Sequence, residues 1–141
     1  MRISKLDVAA IQLDAAIRHF LEGDFLPALS LAGAAEEILG ALSRRAGLPV
    51  AVEQIVEYHF KDTDQALPDL ARRKAIVDIL NAGRNQAKHA NDPSEADFEL
   101  EQIDSLQMIM RAMPMARRLG ARMLREAEMV KWIRGHPEAL Q

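Results

Sequence analysis

Apolar residues recur at helical spacing through most of the chain, and polar or turn-forming residues separate these periodic segments. The strongest stop is Asn91-Asp92-Pro93-Ser94, because the residue before a proline is disfavoured in the α conformation. Pro114 is expected to kink or end the helix that contains it. The pattern predicts helices at about residues 5–22, 25–46, 50–60, 69–90, 95–114 and 115–133.

The second predicted helix is rich in small residues that allow another backbone to come close, namely Ala28, Ala32, Gly33, Ala34 and Ala35. It should therefore form a tight antiparallel hairpin with the first helix, closed by Gly23-Asp24. A hydrophobic content of 49% with only 4% aromatic residues also favours helix over sheet. We predict a single all-α domain over residues 1–141, a bundle of five to six helices with an antiparallel up-down core. The helix at about 115–133 is an appended element.

The amino-acid composition excludes several kinds of functional site. The chain has no cysteine, which excludes disulfides, thiol nucleophiles and thiolate metal sites. It also has no Glu-x-x-His pair of the kind that helical di-iron sites use, so we expect no metal and no cofactor. The N-terminus runs directly into an amphipathic helix, and no later apolar run looks long enough to span a bilayer. We expect a cytoplasmic protein that does not associate with membranes.

The net charge of −3 argues against a general, charge-driven nucleic-acid binder. The charge is unevenly distributed, however. Residues 92–104 are acidic without a base, whereas residues 111–134 are mostly basic. A local basic surface on the C-terminal helix therefore stays open as an alternative to a plain solvated face.

The stretch 84–89, Arg-Asn-Gln-Ala-Lys-His, concentrates the chemistry of the chain at the end of the predicted fourth helix. Asn81, Arg84, Asn85, Lys88 and His89 form one polar stripe at helical spacing. Such a stripe can hold a phosphate and move a proton beside it. A glycine within the helix, Gly83, suggests close approach of another helix, and Glu36 or Glu37 could turn toward the motif as an ion pair.

This motif resembles the signature of the HEPN family, a group of small all-α nucleotide-binding domains. The family signature is an Arg, a polar residue, a short spacer and a His near the end of a long helix, here Arg84, Asn85, the spacer 86–88, and His89. The opening hairpin and the acidic segment after the 91–94 break are also similar, so the resemblance covers about residues 6–112.

The resemblance implies a homodimer in which two motifs face each other and cut RNA without metal, leaving a 2′,3′-cyclic phosphate. His89 would transfer protons, Arg84 would hold the scissile phosphate, and Asn85 would orient either group. Lys88 and Asn81 would be auxiliary phosphate-binding residues. The alternative function is a non-catalytic helical module that binds a protein partner, such as an antitoxin in a toxin–antitoxin or defence system. The remaining histidines, His19, His59 and His136, are interpreted as surface or helix-end residues.

Overall fold

The computed structural model describes all residues, 1–141, and contains helices but no strands, which confirms the all-α prediction. Its seven helices are α1 Lys5–Leu21, α2 Phe25–Arg45, α3 Ala51–His59, α4 Asp69–Leu80, α5 Ala82–Lys88, α6 Gln102–Arg118 and α7 Glu126–Gly135. Two short 3-10 turns follow α3 and α7, at Phe60–Asp62 and Pro137–Leu140.

The core lies between α1, α2 and α6. Helices α1 and α2 form the expected hairpin around Gly23, whose positive φ of 84° suits a residue without a Cβ. Each fully buried Leu or Ile side chain contributes about 1.5–3 kcal/mol relative to exposure. The largest aliphatic side chains of this kind come from all three helices: Leu13, Ile17, Leu29, Leu39, Leu106 and Ile109.

Helix α7 closes the bundle against α1. Met129 of α7 is fully buried, and Trp132 packs edge-on against Phe20 with ring centroids 4.7 Å apart. The Asp14 carboxylate of α1 accepts hydrogen bonds from the backbone N–H groups of Leu124 and Arg125, just before α7 begins. Asp14 thus supplies a helix N-terminus with an acceptor from another helix.

Helix α2 meets the length and composition criteria for a membrane span, contrary to the expectation that no apolar run is long enough. Its apolar residues are the centre of the bundle core, as in the core helix of a globular protein. It also carries two adjacent carboxylates, Glu36 and Glu37. One of them is buried at the centre of a charged network described below.

The predicted helix at 69–90 is wrong as one continuous element, because the structure breaks it at Asn81 into α4 and α5. The Leu80 carbonyl accepts a hydrogen bond from Arg111 Nη1 at 3.1 Å, and Asn81 adopts φ −103° and ψ 4°. The arginine side chain therefore takes an acceptor that a continuous helix would use internally. Helix α5 ends at Lys88, so His89 is a capping residue with extended backbone.

Three further boundaries differ from prediction. Helix α6 begins at Gln102, because Glu101 and Asp104 form a reciprocal capping box there. Pro114 does not end α6, which continues to Arg118, and the residues on both sides of it, Met113 and Met115, are buried in the core. The predicted helix 115–133 is therefore divided: its start belongs to α6, a turn at Gly120 follows, and α7 begins at Glu126.

Candidate functional site

Arg84 lies across the surface of α2, over Gly33. A Cβ atom at position 33 would come within 2.7 Å of both Arg84 Cγ and Cδ, so only glycine leaves room for the arginine side chain. Gly83 next to it allows a second close approach, since a Cβ there would meet the Asp104 side chain of α6 at 3.1–3.3 Å. The close approach of another helix expected at Gly83 is confirmed.

The guanidinium of Arg84 reaches a buried carboxylate, Glu36 of α2. Arg84 Nη1 donates to Glu36 Oε2 at 3.1 Å, and Arg111 Nη2 of α6 donates to Glu36 Oε1 at 2.8 Å. Arg111 also donates to Asn81 Oδ1 at 3.0 Å. Two arginines thus share one carboxylate, and the network carries a net charge of +1. The expectation that Glu36 or Glu37 turns toward the motif is confirmed.

Most of this network is enclosed. The side chains of Glu36 and Arg111 are 4% and 6% exposed, while that of Arg84 is 15% exposed. Arg84 Nη2 makes no hydrogen bond within the protein and is not among the solvent-shielded polar atoms. This nitrogen is therefore a free donor that belongs to a fixed guanidinium.

The exposed part of Arg84 lines a groove of about 470 Å³ between α2 and α5. Its polar lining residues besides Arg84 are Ser30, Glu37 and Lys88. Lys88 Nζ lies 3.8 Å from Glu37 Oε2, and both side chains are largely exposed, so this pair is weak. The groove therefore adjoins the excess positive charge of the network. It also carries the ammonium group of Lys88, which Glu37 holds only weakly.

His89 opens onto a different cavity. A pocket of about 330 Å³ lies between the end of α5 and the segment 95–98, and His89, Lys88, Glu95, Asp97 and Phe98 are among its lining residues. The sequence shows no aromatic residue beside the motif, but the fold places Phe98 in the lining of the same pocket as His89. Because Glu95 and Asp97 also face this pocket, its electrostatic character is mixed.

The structure places the five predicted site residues in three settings. Asn85, Lys88 and His89 are exposed, Arg84 is mostly buried, and Asn81 is buried as an acceptor for Arg111. Within one chain, Arg84 lines one cavity and His89 lines another, while Ala87 and Lys88 line both. A single copy therefore does not bring the guanidinium and the imidazole into one pocket.

Two residues of the network, Glu36 and Arg111, do not stand out in the sequence motif. Both occupy helical positions that belong to the apolar stripes of α2 and α6. A charged residue at a core position needs an opposite charge near it, and these two carry opposite signs. That pairing is the sequence feature from which the network could have been predicted.

Comparisons with known proteins give no match for this chain, either among protein-family models or among curated proteins and solved structures. The residues and geometry described above are therefore the basis for a functional proposal.

Proposed function

We propose that the protein binds a phosphate of RNA or a nucleotide at the surface formed by Arg84, Asn85, Lys88 and His89. We further propose that a two-fold dimer cleaves RNA there without metal. The observation that supports this best is the unequal network, in which the buried guanidinium of Arg111 and the mostly buried guanidinium of Arg84 share the single carboxylate of Glu36. The excess positive charge adjoins a groove that is lined by Arg84 and Lys88.

Arg84 suits phosphate binding because Glu36 and Gly33 already fix its side chain. An arginine that is held in place loses less conformational entropy when it binds a ligand. Its remaining NH₂ group can donate to a phosphate oxygen, and charge-assisted bonds of this type are the stronger ones. Lys88 adds positive potential at the same groove, and Asn85 offers an exposed amide one residue from Arg84.

Cleavage requires a base and an acid, and the two His89 imidazoles of a dimer would supply both. In a dimer with facing motifs, His89 of one copy removes the proton from a ribose 2′-hydroxyl, and the 2′-oxygen attacks the adjacent phosphorus. The His89 of the second copy protonates the departing 5′-oxygen as the P–O5′ bond breaks. The products are a 2′,3′-cyclic phosphate and a 5′-hydroxyl, and Arg84 stabilises the charge that develops on the phosphorane.

A second candidate is a non-catalytic module that binds a protein partner, for example an antitoxin-type protein. This candidate is favoured by apolar side chains that the bundle leaves in solvent, among them Tyr58, Leu70 and Ile79, which are 74–82% exposed. In this function the Arg84–Glu36–Arg111 network would only join α2, α5 and α6. The module predicts that loss of His89 has no effect on the protein's activity in the cell.

The test is RNA cleavage by the purified protein in excess EDTA, with His89→Gln beside the wild type. His59→Gln is the matched control, because His59 is an exposed histidine on a different helix. We expect cleavage by the wild type and the control, and none by His89→Gln. Arg84→Ala should also be inactive yet folded, since Glu36 keeps Arg111 as its partner. Absence of cleavage in all four proteins would favour the module, and equal cleavage in all four would indicate a contaminating nuclease.

A further inference from the structure

Three side chains that are common metal ligands meet at the turn between α1 and α2. They are His19 in the last turn of α1, Glu22 after it, and Asp24 at the start of α2. One ligand atom from each residue lies within 4.8 Å of the other two. His19 Nδ1 is 3.6 Å from Asp24 Oδ2. This cluster lies outside the Arg84–His89 site and is not used by the proposed function.

His19 Nδ1 and the Asp24 carboxylate lie at ion-pair distance from each other, but neither makes a hydrogen bond. His19 Nδ1 is shielded from solvent and makes no hydrogen bond. A buried polar atom of this kind is rare in proteins and costs free energy unless something binds it. Asp24 occupies the N-cap position of α2, yet its side chain makes no capping hydrogen bond to the helix. Both groups are thus available to a ligand held between them.

The spacing of the cluster suits a small cation. Zinc binds histidine nitrogen and carboxylate oxygen at about 2.0–2.1 Å, so two ligands of a tetrahedral site lie about 3.3 Å apart. The 3.6 Å separation of the His19 and Asp24 atoms is a few tenths of an ångström longer. Glu22 and Asp24 are exposed, so their carboxylates can rotate toward a common centre.

The backbone that carries the three ligands is already fixed. Asp24 N donates to the His19 carbonyl at 2.8 Å, and Glu22 N donates to the Arg18 carbonyl at 3.1 Å. Only the two carboxylate side chains would have to become ordered on binding. A preformed arrangement lowers the entropy cost of capturing an ion.

We propose that His19, Glu22 and Asp24 bind a divalent transition-metal ion of the zinc class. Imidazole favours such metals, whereas Mg²⁺ prefers oxygen ligands and keeps most of its water. Three protein ligands leave a fourth position for water or an exogenous ligand. Because the ligands come from the end of α1, the connecting turn and the start of α2, the ion would clamp the hairpin at the base of the core. The proposal is independent of RNA cleavage at His89.

The experiment is calorimetric titration of the untagged, EDTA-stripped full chain with Zn²⁺, and separately with Mg²⁺. We expect one Zn²⁺ per chain, no measurable Mg²⁺ binding, and a higher melting temperature with zinc. Loss of an outer-shell partner weakens a metal site by about 10–100-fold, so His19→Gln, which removes a direct ligand, should weaken binding at least as much. Asp24→Asn is the second variant, and His59→Gln and His89→Gln are controls for adventitious binding by exposed histidines.

Cobalt gives an independent readout, because Co²⁺ in a four-coordinate protein site absorbs visible light much more strongly than hydrated Co²⁺. The absorption should be present in the wild type and in both controls, and absent from His19→Gln and Asp24→Asn. Zinc binding that survives either variant unchanged would overturn the proposal, as would absence of zinc binding to the wild type. In the latter case the His19–Asp24 contact is an ion pair only. RNA cleavage in EDTA would be unaffected by any of these results.

Discussion

Glu36→Gln tests the central role of the buried carboxylate. The substitution keeps the shape of the side chain but removes its charge, so Arg84 and Arg111 lose their shared counter-ion while Arg111 stays buried and Arg84 mostly buried. Removing one partner of a buried ion pair costs about 3–5 kcal/mol, because the remaining charge is left uncompensated. Domains of this size have a free energy of unfolding of about 5–15 kcal/mol, so the loss is a large fraction of the total.

Urea unfolding followed by circular dichroism measures this loss. With an m-value of about 2 kcal/mol/M, the unfolding midpoint should fall by about 2 M urea. Glu37→Gln is the matched control on the same helix, because Glu37 is exposed and pairs only loosely with Lys88. The Glu37→Gln substitution should lower the free energy of unfolding by no more than about 1 kcal/mol. A Glu36→Gln protein as stable as the Glu37→Gln protein would refute the assignment of Glu36 as the counter-ion of both arginines.

Three further predictions concern the close packing at Gly33, the cap of α7 and the pH dependence of the 92–94 turn. Gly33→Ala should destabilise the fold by about 1–3 kcal/mol in urea unfolding, because the new Cβ displaces Arg84. Gly135→Ala meets no atom within 4 Å and should not destabilise it. Asp14→Ala should cost about 1 kcal/mol and speed amide exchange at the start of α7, as loss of a cap does. Hydrogen bonds from the Ser94 backbone and side chain hold the pKa of Asp92 below 3.8. The stabilisation that the Asp92 carboxylate gives the 92–94 turn should therefore be complete above the ordinary aspartate pKa and be lost as pH falls through the lowered pKa. An NMR titration should show this pKa moving up toward 3.8 in Ser94→Ala.

Much of the fold could be predicted from local patterns. The hairpin of α1 and α2 and the stop at 91–94 follow from apolar periodicity, small residues and a proline, which act within a few residues. Two of the errors occur where distant contacts override local preference. Arg111, thirty-one residues away, breaks the helix at Leu80, and core packing carries α6 through Pro114.

The candidate site could be predicted only in part. The sequence identifies the group of residues around Arg84, because their types and spacing are visible in one helix. It suggests Glu36 or Glu37 as a partner of the motif, but it does not show that Arg84 is mostly buried while His89 is exposed, since burial depends on which helix lies opposite. The sequence also does not show that Phe98 lines the same pocket as His89. The two residues meet there only because the loop after α5 turns back toward the end of that helix.

The most direct test of the proposed function uses a DNA oligonucleotide that contains a single ribonucleotide. Cleavage by a 2′-hydroxyl without metal can occur only at that nucleotide. We expect the wild type in EDTA to cut there alone and to leave a 2′,3′-cyclic phosphate, and we expect His89→Gln to leave the strand intact. Cleavage at deoxynucleotides, a 3′-hydroxyl product, or undiminished cleavage by His89→Gln would contradict the proposed chemistry and its assignment to this site.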